Sequence, residues 1–401
     1  MPQDGPIGAE ALRLAGRLQR EGISRAIHLA ATERAAEGIA RFLKAAVPAA
    51  NVVLLPPWDC LPYDWASPSA SAMGARMAAL RRMAEDGPCL VITSPAAVIQ
   101  RVPSGALEAL ELRVGDGIDA DALPGRLAAL GYREDERVDE PGEVVLRGAV
   151  LDIFPADADG PVRVEIAEGR VASVRGFDAG TQRTADEMEV LTIDPASELP
   201  GDVAARRQHG EEHWLPNHRE GLLAVPDHMG GAVLSATAAA LEAADAALDA
   251  LPAAHDERLE AELDAGGARR PPEPDRLYLK PGEWSALRDG AFRLELDGVE
   301  APPAIAGERR PRAALRQAIS EAGRTILVAA TPRDRRRLSA MAGGEVVEAA
   351  SLEDALGAAG TSTLLAPLDR GHRDGDLLLL TARDVLGHQA EDAAGRPITP
   401  P

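Results

Sequence analysis

The chain has 401 residues, 45% hydrophobic and 3% aromatic, with 43 lysines and arginines against 64 aspartates and glutamates and a net charge of −21. That balance excludes wholesale disorder and opposes broad contact with a phosphate backbone, which needs clustered cations. Cys60 and Cys89 are the only cysteines, so a disulfide framework or a four-cysteine metal centre is excluded.

At this length about two to four domains are expected. Both cysteines lie in apolar segments and read as core residues of a reducing compartment. No apolar run approaches the ~18 residues of a membrane span, and no basic stretch opens a signal peptide. A cytoplasmic protein without membrane contact is the expectation.

In chain order, Glu10 to Glu21 places Leu12, Leu14, Ala15 and Leu18 on one helical face. A short strand follows from Ser24 to Ala30. Thr32 then reads as the N-cap of a helix through Ile39, Leu43 and Val47, stopped before Pro48. Asn51 to Leu55 and Cys89 to Thr93 read as buried strands, with a helix from Ala72 to Met83 between them. Such alternation favours a parallel sheet covered on both faces.

From about residue 112 the character changes. A helix from Asp121 to Leu130 leads into β-rich sequence at Val144 to Ile153, Val162 to Ala167 and Arg170 to Phe177. Glu168-Gly169 separates the last two and suits a tight hairpin. Val162, Val164 and Ile166 alternate with Arg163 and Glu165, which predicts one buried and one charged face. Asp194-Pro195 marks the end of this small α+β insertion. Further on, the pattern predicts a helix from Ser235 to about Leu263, a loop from Gly266 to Asp275 and a linker at Pro302-Pro303. A helix from Arg312 to Ala322, a strand from Thr325 to Ala330, a helix near Thr331 and strands at Thr363 to Ala366 and Leu377 to Thr381 follow. The resulting expectation is an α/β fold: a helicase-like parallel-sheet domain in two parts (1–111 and 197–304), an inserted domain (112–196) and a small α/β domain (305–401).

Several motifs suggest chemistry. Lys44 and Lys280 are the only lysines, and neither has the glycines or the Ser/Thr of a phosphate-binding loop. His209-Gly210-Glu211-Glu212-His213 matches an inverted zinc-protease pattern, but Gly210 and Pro216 work against the helix that pattern needs. Thr331-Pro332-Arg333-Asp334-Arg335-Arg336-Arg337 is the densest basic run; it suits a phosphate backbone, but a solvated helix face is the leading expectation. No nucleophile elbow is present. The expectation is a non-catalytic chain with no cofactor and no metal.

Two stretches are far more specific. One is Leu55-Pro56-Pro57-Trp58-Asp59-Cys60-Leu61-Pro62-Tyr63-Asp64 with Ser67-Pro68, followed by Val91 to Pro103. The other runs from Pro141-Gly142-Glu143 through Leu146-Arg147-Gly148-Ala149-Val150-Leu151-Asp152-Ile153-Phe154-Pro155 and Pro161 to Glu165. It closes at Arg175-Gly176-Phe177-Asp178 and Thr181-Gln182-Arg183-Thr184. Together they resemble the N-terminal part of the bacterial transcription-repair coupling factor family (Mfd), whose module is shared with UvrB.

That resemblance implies a helicase-like domain without a nucleotide site and an inserted surface for UvrA, the damage-recognition subunit of nucleotide-excision repair. By the same resemblance Arg147 and Arg163 match the arginines presented to UvrA, while Ala167 stands where the family pattern has an aromatic. Trp65 departs from a usually polar or basic position. The family continues into a polymerase-binding module and an ATP-driven translocase, so the chain reads as a short form or a piece of a longer product. The expected partner is a UvrA-like protein, with weak or no direct DNA binding. The alternative is a diverged interaction module, docking for instance on a separately encoded motor protein.

Overall fold

A computed structural model describes residues 6–104, 109–178, 184–267 and 269–387. The quoted Thr181, Gln182 and Arg183 therefore lie outside the described residues.

The helix Ile7–Glu21 starts one turn earlier than its periodicity suggests. It precedes the strand Arg25–Leu29 and the helix Glu33–Ala46, where the Thr32 hydroxyl accepts the Ala35 amide at 3.1 Å as an N-cap does. Asn51–Leu55, the helix Ala70–Ala84 and Cys89–Thr93 complete the first run. These strands sit in a five-stranded sheet in which every paired neighbour is parallel. Its remaining strands, Val233–Ala236 and Phe292–Arg293, come from far down the chain.

Val233–Ala236 corrects the sequence reading, which began a helix at Ser235. The strand pairs with Arg25–Leu29, Thr237 caps the helix Ala238–Asp249, and a second helix, Leu251–Asp264, begins with Pro252 in its first turn. The alanine-rich run from Ala236 hides such a boundary, because its strong helix preference draws the predicted helix back over the short strand before it.

Between the strands Cys89–Thr93 and Val233–Ala236 lies the insertion. Its entering strand Leu110–Arg113 pairs antiparallel with its leaving strand Val190–Ile193, which forms a neck. Beyond the neck stands a six-stranded sheet made of Arg133–Glu134, Glu143–Arg147, Val150–Ile153, Val162–Ala167, Arg170–Phe177 and Thr184–Met188 in sequential order. The β-rich stretch 144–153 is thus two strands. Gly148, at φ 61, turns the chain, and Arg147 pairs with Val150 across a two-residue loop. At the next hairpin Glu168 and Gly169 have φ 52 and 70, the double positive φ of a type I′ turn. One face of this sheet buries Leu151, Ile153, Val164 and Val174 against Leu123, Leu127 and the neck strands.

The last unit is a six-stranded sheet built around Arg324–Ala329, flanked in parallel by Thr361–Leu365 and Leu377–Thr381. The strand Val346–Ala349 and the helices Leu352–Gly357 and Ala382–Leu386 in this unit are too short for periodicity to reveal. Pro302-Pro303 does not release it on a free tether. Leu14, Phe42 and Leu43 of the first two helices share one apolar core with Ile326, Val328, Leu364 and Leu379. Arg13 also grips Asp374 with both contacts at 2.8 Å. Among the described residues no helix is long and apolar enough to cross a membrane.

Candidate functional site

The insertion's sheet has one buried face and one facing outward, and the alternation of its strands decides which residues go where. Asp152, Arg163, Arg175 and Glu187 are opposite one another in register and form a row across four strands of the outer face. Arg163 opposite Arg175 is a like-charge pair, which is destabilising by itself. Each arginine resolves this by turning to an acid on its other side. Arg163 donates from Nε and Nη2 to Asp152 at 2.6 and 2.8 Å, and Arg175 reaches Glu187 at 3.2 Å. The hydrogen bond to Asp152 raises the Arg163 pKa above its ordinary value, and the guanidinium lies 5.0 Å from the centre of the Phe177 ring.

Arg147 is on the same face. It ends its strand opposite Val150, which is itself opposite Glu165, two residues along from Arg163. Strand spacing and residue rise put the two arginine Cα atoms roughly 12 Å apart. Arg147 is exposed, and its Nη2 donates to the Glu136 carbonyl, which ties it to the loop between the strands Arg133–Glu134 and Glu143–Arg147. Ala167 is exposed on this face too, at the hairpin end and paired with Arg170. The fold therefore gathers Arg147, Arg163 and Ala167 on one solvent-facing side. Asp152, which fixes the aim of Arg163, escaped the sequence reading. Its signal was the Leu151-Asp152-Ile153 alternation, legible once the turn at Gly148 is recognised.

The sheet is seated firmly on the parallel-sheet body. Arg81 grips Asp194 through Nε at 2.6 Å and Nη2 at 2.8 Å. The Tyr132 hydroxyl donates to the Asp194 carbonyl at 3.0 Å and accepts the Ala156 amide at 3.1 Å. Gly74 meets Ala156 so closely that a Cβ at Gly74 would fall 2.3 Å from the alanine methyl. Below them Arg76 and Glu198, both fully buried, pair at 2.6 Å, and Trp58 donates to the same carboxylate at 2.8 Å. This Trp58 contact is where the Pro56 to Asp64 motif acts: it ties the body to the segment that leaves the insertion.

The structure places the residues of the other sequence motifs elsewhere. His209 is exposed outside the short 3-10 helix Glu211–Trp214, while His213 is buried in it, so the inverted zinc pattern does not present two ligands on one helix face. Among the described residues no three His, Cys, Asp or Glu side chains are placed to hold one metal ion. Cys60 Sγ does approach His213 Nε2 at 3.9 Å. Burial pushes that thiol up to about 12, helped by Asp59, Asp64 and Glu212, and burial pulls His213 down to about 4. Both groups stay neutral, the opposite of an activated thiolate. At the edge of the parallel sheet a cavity of about 160 Å³ is walled by Glu33, Glu37 and Asp59, and three carboxylates repel a phosphate.

An α/β body carrying a neck-mounted, mostly antiparallel sheet with an arginine-bearing face is the class of protein these features define. Residues 110–199 match the family model described as UvrB interaction domain. Over a wider stretch the chain is similar to the N-terminal region of transcription-repair coupling factor. It is 36% identical over 157 residues to that of Escherichia coli (strain K12), covering 38% of this chain and 14% of the relative. With the factor of Mycobacterium bovis it shares 36% identity over 197 residues, 47% of this chain and 16% of the relative. That of Myxococcus xanthus is 33% identical over 193 residues. These matches thus span about a seventh of the length of the curated relatives.

Proposed function

We propose that the chain is a non-catalytic adaptor of nucleotide-excision repair whose inserted sheet docks on a UvrA-type protein. The observation that carries this reading is the co-facial placement of Arg147 and Arg163 on a sheet that matches the UvrB interaction domain. Arginine suits the contact because its planar fork grips a carboxylate through two parallel hydrogen bonds. Asp152 occupies one edge of Arg163, whose side chain stays 38% exposed. In this reading the residues divide as the sequence suggests: a helicase-like body (1–111 and 197–304), an inserted recognition domain (112–196) and a small α/β domain (305–401). The first of these supplies a rigid mount and performs no chemistry.

The test is co-elution of the purified chain with UvrA on size exclusion. A complex is expected, and Arg163→Glu abolishes it while Arg147→Ala weakens it. A complex indifferent to both changes overturns the reading.

One observation favours a second reading, a diverged module that has lost UvrA. Among the described residues the exposed large hydrophobics include none on the outer face of this sheet, and Ala167 offers only a methyl group. Interfaces commonly centre on a buried aromatic or arginine anchor. Co-purification with a separately encoded motor protein, and no complex with UvrA, would decide for that alternative.

A further inference from the structure

The basic run from Thr331 to Arg337 plays no part in the interaction sheet, and the fold enlarges it. The helix Pro311–Ser320 packs beside the helix Pro332–Ala342, and the strand Arg324–Ala329 lies between them in sequence. The links on either side of that strand are three and two residues long, so both helices run back along it and begin at the same edge of the sheet. Arg309, Arg310 and Arg312 cluster where one helix starts, and Arg333 and Arg336 where the other does. Arg316, a turn further along, turns away from that edge to the Met341 carbonyl and Gly343 at the far end of the second helix. The other five are exposed, and among the described residues none has a carboxylate within 4.0 Å. Arg335 and Arg337 differ, pairing with Glu348 at 3.0 Å and Asp334 at 3.6 Å. A groove of about 930 Å³ runs beside the first helix, where Arg373 joins Arg309 and Arg310, with Glu308 and Glu321 also on its walls.

The charge segregation is steep. Residues 305–342 hold nine arginines against three acids, and the remaining chain holds 34 cations against 61 anions. Like charges gathered without partners destabilise a folded state by self-repulsion. Each helix N-terminus adds its own partial positive charge. The segment contains no Phe, Tyr or Trp, and the exposed large hydrophobics of the described residues all lie outside it. A protein interface ordinarily sets its arginine anchors around an apolar core, which this stretch does not offer, and a single strand needs aromatic platforms for its bases. A duplex backbone needs neither, only arginines at the phosphates.

We propose that this edge of the C-terminal α/β unit is a contact for the phosphate backbone of duplex nucleic acid, blind to sequence. The strongly acidic remainder repels a duplex and so confines it to this one face.

The experiment is fluorescence anisotropy of the full chain with labelled duplexes of unrelated sequence. Affinity is expected to be alike for all of them and to fall on the order of 100-fold between about 50 and 200 mM salt, as about four phosphate contacts imply. The variant Arg309→Glu/Arg310→Glu/Arg333→Glu/Arg336→Glu loses binding, while Arg170→Glu on the interaction sheet keeps it. The milder Arg→Gln set at the same four positions, with its fold checked by circular dichroism, gives a graded loss. No binding at about 50 mM salt, or binding unchanged in the Gln set, overturns the proposal. So does capture of polyglutamate without any capture of duplex, which would make the face a site for an acidic protein.

Discussion

Arg163 and Asp152 stand opposite each other on adjacent antiparallel strands, and the guanidinium holds the carboxylate through Nε at 2.6 Å and Nη2 at 2.8 Å. The Arg163 side chain is 38% exposed and that of Asp152 13%, so the pair is half in water and contributes about 0–1 kcal/mol to stability. Its larger effect is on direction. A free arginine samples many rotamers, whereas this one is already held by Asp152 before a partner arrives, which lowers the entropy cost of binding. Asp152→Ala is expected to leave the urea midpoint nearly unchanged and to weaken UvrA binding about 3- to 10-fold. Unchanged affinity in a titration would show that Asp152 does not position Arg163.

Ala167 offers the converse experiment. It is exposed at the end of its strand, just before the type I′ turn, so a larger side chain meets no packing obstacle. Aromatics are also favoured on strands. Ala167→Phe restores an anchor on the arginine face and is expected to tighten UvrA binding by about 1–2 kcal/mol, or roughly 5- to 30-fold. The gain should vanish in the Ala167→Phe/Arg163→Glu double variant, because one interface carries both residues. A gain that persists in the double variant assigns it to nonspecific stickiness.

Much of this architecture was legible, and the reasons are local. Thr32 announced its helix because a β-conformation hydroxyl ahead of apolar periodicity is a cap, and the 3.1 Å bond to Ala35 is that cap. Arg163 could be put on a solvent face because period-two alternation leaves no choice. The structure records this as buried Val162, Val164 and Ile166 around partly exposed Arg163 and Glu165. What failed needed long-range information. The strand at Val233–Ala236 gains its identity from Arg25–Leu29, some two hundred positions earlier, and nothing nearby in sequence supplies that partner. The Arg163–Asp152 grip required the turn at Gly148 to be seen first. The arginine edge of the last unit needed two helices packed side by side, which only the fold provides.

Arg76 and Glu198 set a sharper test of how the insertion is mounted. Both side chains are fully buried and pair at 2.6 Å, Trp58 donates to the same carboxylate oxygen, and Arg76 also donates to the Pro56 carbonyl at 2.8 Å. Removing one partner leaves a buried charge uncompensated, which costs about 3–5 kcal/mol. Glu198→Ala should therefore lower stability by that amount in a urea titration. Arg76→Met/Glu198→Leu, which removes both charges at similar volume, should recover most of it. Equal losses in the two variants would place the cost in packing and not in the orphaned charge.

Acid sensitivity follows from two buried histidines. Burial lowers His213 to about 4, and it likewise lowers His372 to about 4 from an ordinary 6.5. An unfolded histidine takes up its proton near pH 6.5 and these folded ones near 4, so the unfolded state binds more protons in between. The stability they contribute is full above pH 6.5 and drains as the pH falls toward 4. Glu33, Asp157 and Glu212, whose carboxyls burial raises, act in the opposite sense, because the folded state protonates them first. His372 isolates the histidine contribution. Both of its ring nitrogens are buried without a hydrogen-bond partner, and Leu368 is close by at Gly8. His372→Leu should equal or exceed the parent at pH 7, since it removes two unsatisfied polar atoms. Between pH 7 and 5 the variant should lose about 2 kcal/mol less than the parent, as a shift of this size implies. Urea titrations of both proteins at the two pH values decide it: parallel losses would mean that His372 is not held neutral in the folded state.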